Sequence, residues 1–185
     1  MDNKKVRKKK VSVSEKKISK RKDKQMRPVP TIRIFGYGSL LNEENVQSRL
    51  SGKTFTMQPG KLTGYQRTFS KWGRGHVYLT LRRMMGNVEV EGVLIDVDPI
   101  GFAILTRYEP GYELVEVTTL MLDYPSDSPR VYCYIGESLK EIPPEIAKIR
   151  RSYLDKCLGG VASEKHSQWL EETHIPKGVV IAEED

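Results

Sequence analysis

Thr31-Ile32-Arg33-Ile34-Phe35-Gly36-Tyr37-Gly38-Ser39-Leu40-Leu41-Asn42-Glu43-Glu44 is the stretch on which the reading of this chain turns. Its first five residues alternate and are rich in β-branched side chains, the pattern of a strand. Two glycines then interrupt the run. Asn42 has the character of a helix N-cap, with acids behind it in the first turn, and the helix is predicted to reach about Leu50. The unit is therefore strand, glycine turn, helix. Such a turn is either a plain structural corner or a receptor for a carboxylate or oxyanion. Glycines let backbone N–H groups approach a ligand, and a helix start adds positive partial charge. A dinucleotide loop is excluded because Leu41 fills the position of the third glycine, and no Gly-Lys-Ser/Thr follows. The nucleophile elbow G-x-S-x-G is absent too, since Gly38 directly precedes Ser39.

Toward the C-terminus, strand patterns recur near residues 60–69, 77–83 and 88–97. Asp98-Pro99 reads as an N-cap with proline at the first helical position, opening a helix to about Tyr108. Two more strands fit 112–122 and 130–136. Pro143-Pro144 is predicted to open a helix to about Cys157, and another helix fits roughly 163–173. Short spacings between strands favour antiparallel neighbours. The expected class is α+β: a mixed, largely antiparallel sheet closing into a small barrel, flanked by short helices.

Toward the N-terminus the composition changes. Residues 1–28 hold thirteen Lys or Arg against three acids, a net of +10, so the remaining eighteen basic and twenty-one acidic residues leave a body at −3. The formal +7 of the whole chain is thus a property of the tail. With almost no large apolar side chains, residues 1–28 are expected to be disordered, and residues 29–185 to form a single domain. A lysine-rich tail can make weak contact with nucleic acid or an acidic surface, or act as a nuclear address. No apolar run approaches the roughly 18 residues of a membrane span, and the N-terminus lacks a secretory apolar core. A cytoplasmic protein with nuclear entry open to it is the expectation. Cys133 and Cys157 form neither a CxxC pair nor metal spacing with His76, His166 and His174, so two reduced thiols and no metal are expected.

A second chemistry-bearing segment is Leu105-Thr106-Arg107-Tyr108-Glu109-Pro110-Gly111-Tyr112. Glu109 sits at a helix-to-strand junction beside a Pro-Gly turn and two tyrosines. A carboxyl group packed against aromatic rings holds its proton more tightly, which suits acid/base work, although an isolated glutamate is more often simply solvated. Nine tyrosines outnumber four phenylalanines. Converging tyrosine hydroxyls would suit a zwitterionic ligand, and ordinary core packing is the alternative for most of them.

In this order the segments resemble the γ-glutamylcyclotransferase superfamily. Tyr37-Gly38-Ser39-Leu40-Leu41 matches its Y-G-S-x-L loop. Glu109, Tyr112 and Leu114-Val115-Glu116-Val117 match its glutamate, tyrosine and strand, and Tyr153-Leu154-Asp155-Lys156-Cys157-Leu158-Gly159-Gly160 matches its late tyrosine and glycine. Gly64-Tyr65 with Phe69, and Glu91-Gly92-Val93-Leu94, support the match, which covers about residues 31–172. The loop carries Leu40 where animal γ-glutamyl-amino-acid enzymes carry Asn, and with Phe35-Gly36 in front it is closer to glutathione-specific members.

The resemblance implies a cofactor-free enzyme, of lyase or transferase type, that cyclises a γ-glutamyl group. It would release 5-oxoproline and an amine, amino acid or dipeptide, as in glutathione metabolism. Glu109 would be the general acid/base. Tyr37, Gly38, Ser39, Leu40, Tyr112, Tyr134 and Tyr153 would bind the small γ-glutamyl substrate. No protein nucleophile is needed, because the substrate's own α-amino group attacks. The competing reading is a basic-tailed, nucleic-acid-associated binding protein of the same fold without this activity.

Overall fold

The structure is a computed structural model that describes residues 31–139, 141–143 and 147–183. The basic tail and the start of the expected domain therefore lie outside the described residues. The central layer is a five-stranded sheet in the order β2-β5-β1-β7-β6, built from β1 (Ile32–Gly36), β2 (Phe55–Thr63), β5 (Glu89–Val97), β6 (Tyr112–Glu116) and β7 (Val131–Gly136). Only the β1–β7 pair in this sheet is parallel. The mixed, mostly antiparallel α+β class is the one expected.

Strand β1 lies in the middle of this sheet and is covered on both faces. Ile34 points to one core, with Val46, Leu50, Ile95 and Leu105, beneath helices α1 (Glu43–Leu50) and α2 (Pro99–Arg107). Phe35 points to the other, with Phe69, Leu79, Leu154 and Trp169. Both helices begin as their caps dictate. The Asn42 side chain accepts from Asn45 N–H at 3.0 Å, and the Asp98 carboxylate from Gly101 N–H at 2.6 Å. Val46 and Leu50, four residues apart, form the buried stripe of α1.

The second core is roofed by a separate hairpin, β3 (Tyr65–Gly73) and β4 (His76–Arg83). The apparent strand at 60–69 is in fact two strands meeting at Gly64, whose N–H donates to Val88 and whose carbonyl accepts from Met84. There the chain leaves the large sheet and enters the hairpin. For this reason the sheet does not close into the expected barrel. β2 and β6 remain its edges, and β3–β4 packs over a face instead of bridging them. The hairpin contains a β-bulge between Phe69 and Lys71.

The later chain also departs from expectation. Lys148–Arg150 is a strand (β8) paired in parallel with β9 (Val180–Ala182), and helix α3 starts only at Arg151, running to Leu158. Ile149 is fully buried between two exposed neighbours, the alternation of a strand, and β9 supplies its backbone partners. Of the expected Pro143-Pro144 start of that helix, Pro143 is not helical and Pro144 lies outside the described residues. The expected helix at 163–173 is a 3-10 turn over Ser163–Lys165 followed by α4 (His166–Glu171). The strand expected to extend through 122 ends at Glu116, giving way to a 3-10 turn at Thr118–Leu120. Among the described residues no helix is long and apolar enough to cross a membrane.

Candidate functional site

The turn after β1 becomes a single 3-10 turn, Ser39–Leu41, closed by Leu41 N–H to the Gly38 carbonyl at 2.8 Å. The N–H groups of Ser39 and Leu40 precede that bond and have no acceptor within the turn. Helix α1 buttresses the turn from behind: the Asn45 amide donates to the Ser39 carbonyl at 2.8 Å.

Helix α2 ends at the facing wall. Glu109 leaves it and enters a Pro-Gly turn, in which Tyr112 N–H donates to the Glu109 carbonyl at 3.2 Å. Gly111 holds φ +72°, a conformation that a side chain would strain. This turn aims Glu109 back at Ser39. Arg49, in the last turn of α1, joins the two: its Nη1 lies 2.7 Å from Glu109 Oε1 and its Nη2 3.4 Å from Ser39 Oγ. The guanidinium also stacks 5.2 Å from the centre of the Tyr108 ring. Only 13% of the Glu109 side chain is exposed. Burial raises its pKa above the usual carboxylate value, against the opposing pull of Arg49 and, more weakly, Lys71. Among the described residues Glu109 takes its hydrogen bond through Oε1.

All eight residues singled out from the sequence line one narrow cavity: Tyr37, Gly38, Ser39, Leu40, Glu109, Tyr112, Tyr134 and Tyr153. Its volume is about 20 Å³, room for one water-sized group. It opens into a larger cavity of about 520 Å³ that shares Ser39, Glu109, Tyr112 and Tyr153 as walls.

Of the two readings of the tyrosines, converging hydroxyls or ordinary packing, the hydroxyl contacts fit packing. Tyr37 donates to the Tyr134 carbonyl (2.8 Å) and Tyr112 to the Leu79 carbonyl (2.8 Å), while Tyr134 meets the Thr106 hydroxyl (2.7 Å). Tyr153 accepts from Leu79 N–H at 3.3 Å, and its hydroxyl also interacts with the Tyr112 hydroxyl and the Cys157 thiol. Burial pushes the phenols of Tyr37, Tyr112 and Tyr153 well up, so all stay neutral. These rings therefore act as walls tied to the frame.

Two cationic residues of the site escaped the sequence reading. Arg49 had one available signal: Asn45 and Arg49, four apart, share a polar face beside the Val46/Leu50 stripe. Lys71 had none, because the bulge that places it is a tertiary feature. Among the described residues no cluster of three or more His, Cys, Asp or Glu could hold a metal ion. Cys133 and Cys157 are free and buried.

A family model described as γ-glutamyl cyclotransferase, AIG2-like, matches residues 34–149. Solved structures share the fold at low sequence identity. One titled γ-glutamyl cyclotransferase superimposes with a TM-score of 0.59 at 17% identity, covering 82% of this chain and 94% of its own. An uncharacterized protein from Homo sapiens gives 0.57 at 16% identity, covering 80% of this chain and 90% of its own. YkqA from Bacillus subtilis gives 0.53 at 16% identity over 80% of this chain and 56% of its own. No curated protein matches the chain.

Proposed function

We propose, from the premise that this chain belongs to the γ-glutamyl cyclotransferase, AIG2-like family, that it cyclises a γ-glutamyl group to 5-oxoproline with Glu109 as acid and base. The observation that carries this reading is the placement of Glu109. It is a mostly buried carboxylate with one oxygen fixed by Arg49, and it lines one narrow cavity together with the Ser39 turn.

The chemistry needs three things of the chain. The substrate must be folded so that its α-nitrogen reaches its own γ-carbonyl carbon. Holding such a conformer is worth up to roughly 7–11 kcal/mol. The cavity wall of Tyr37, Tyr112 and Tyr134 is rigid because each hydroxyl is anchored to the frame, which limits the conformers a bound chain can adopt. A proton must then leave the α-ammonium. Glu109 Oε2 accepts it, aided by a pKa that burial has raised toward that of the donor. Attack makes the new C–N bond and puts charge on the carbonyl oxygen. The one-group notch beside the Ser39 and Leu40 N–H groups suits that oxygen. Collapse breaks the bond to the leaving nitrogen, which takes the proton from Glu109, and the freed carboxylate then accepts the second proton of the ring nitrogen and passes it to the departing amine. The leaving amine departs through the larger cavity, whose wall Glu109 shares.

The test is 5-oxoproline release by purified protein from glutathione, γ-glutamyl-alanine and γ-glutamyl-ε-lysine, with Glu109→Gln in parallel. General acid/base catalysis contributes about 10²–10⁴-fold, so Gln should lose at least that much. Activity that persisted in Glu109→Gln would remove Glu109 from the reaction.

A further inference from the structure

The larger cavity holds more positive charge than the chemistry at Glu109 uses. Lys71, Arg74 and Lys156 line it together with Arg49, and Glu109 is the one acid among its lining residues. Arg49 is matched by Glu109. Among the described residues the other three form no ion pair.

Each of these cations comes from a different element. Lys71 follows the β3 bulge, which shifts the pairing so that it stands opposite Tyr78 and not in line with Phe69 and Leu79. Its stem runs across Gly136, where a Cβ would overlap Lys71 Cδ, so the path exists only because that position is glycine. The ammonium ends 4.6 Å from the centre of the Tyr112 ring, with its residue only 8% exposed. Desolvation lowers its pKa, opposed by a weaker attraction to Glu109, with which it forms no ion pair. Arg74 projects from the β3–β4 turn and Lys156 from the last turn of α3, both exposed at the rim. Four cations against one acid leave a net excess of three positive charges around a concave space of about 520 Å³, which focuses a positive field into it.

We propose that this cavity recognises a leaving amine carrying two or more negative charges, making the preferred substrate a γ-glutamyl conjugate of an acidic amine and not of a neutral or cationic one. The proposal rests on the cyclising reading above. The charge count sets the number: even if one cation answers the α-carboxylate of the γ-glutamyl group, two remain for the leaving part. The depth of Lys71 and the exposure of Arg74 and Lys156 suit an extended ligand with one anionic group inside and another at the rim.

The test uses a charge ladder on the full chain: γ-glutamyl-ethylamide, γ-glutamyl-alanine and γ-glutamyl-glutamate, whose leaving amines carry zero, one and two carboxylates. The readout is kcat/KM for 5-oxoproline release at low salt and at about 0.3 M salt. Preference for γ-glutamyl-glutamate over γ-glutamyl-alanine should be about tenfold or more at low salt, reside in KM, and shrink at high salt. Arg74→Gln with Lys156→Gln changes exposed residues only and leaves the basic tail intact. In that double variant the preference should fall to about twofold or less. Lys71→Met adds the buried arm. Equal kcat/KM along the ladder, or a preference that survives the double substitution, overturns the proposal. If no compound is turned over, the cyclising reading fails separately. The same ladder is then titrated calorimetrically into the unmodified protein, where affinity rising with carboxylate count sustains the charge selection and flat affinity sinks it.

Discussion

Arg49→Met removes a charge and keeps the length of the side chain, so it isolates what the guanidinium does for Glu109. The pair is close (2.7 Å) and both side chains are mostly buried, at 14% and 13% exposure. Two unit charges about 4 Å apart attract by about 4 kcal/mol at an effective dielectric of 20. Breaking a fully buried pair costs roughly 3–5 kcal/mol, because the survivor is left uncompensated. Residual exposure, and the option of protonating Glu109, reduce this to about 2–3 kcal/mol at pH 8. In a domain of this size that is a fall of about 5–10 °C in Tm.

The pH dependence carries the discrimination. Glu109 already has a folded-state pKa above its unfolded value, and losing Arg49 moves it further up. A group raised in this way contributes stability that is fully present below the unfolded pKa and is lost as pH rises through the folded one. The deficit of Arg49→Met should therefore be large at pH 8 and nearly vanish near pH 4. The acid limb of the pH–rate profile should shift to higher pH by the same cause. Urea denaturation across that pH range, with 5-oxoproline rates alongside, measures both. A stability deficit independent of pH would refute the reasoning and leave Arg49 as a packing residue stacked on Tyr108.

Tyr37→Phe should cost about 1–2 kcal/mol in urea melts, because the buried Tyr134 carbonyl loses its donor, while 5-oxoproline release stays within a few-fold. A loss of a hundredfold or more would mean that the hydroxyl itself serves the substrate. Arg67→Met should be more damaging to stability than any surface charge change, by about 2–4 kcal/mol, read as a Tm shift without a change in KM. Arg67 is 2% exposed, pairs with Glu172 at 2.9 Å, donates to Thr173 and to the Glu91 carbonyl, and lies 4.8 Å from the Trp169 ring. Cys133 and Cys157 should resist alkylation in the native protein and react once it is unfolded. Both are buried, and burial pushes the Cys157 thiol up to about 12. Fast native modification of either thiol, followed by mass spectrometry, would contradict that burial.

Local chemistry is what the sequence by itself determined. The glycine turn after β1, the Asn42 and Asp98 caps and the Pro-Gly turn after Glu109 are each written in a few adjacent residues, because capping and turn geometry depend on neighbours in the chain. The motif order then sufficed to place eight residues that the folded chain gathers around one cavity. Tertiary structure alone decided how the strands are divided and what charge surrounds the site. Gly64 turns one apparent strand into two that belong to different sheets, and that choice depends on backbone partners at Val88 and Met84, distant in sequence. The strand at Lys148–Arg150 likewise exists because Val180–Ala182 lies beside it. Arg49 and Lys71 reach the site through a helix face and a bulge. The energy of a cation depends on which carboxylates and rings stand within a few ångströms, and only the fold sets those distances.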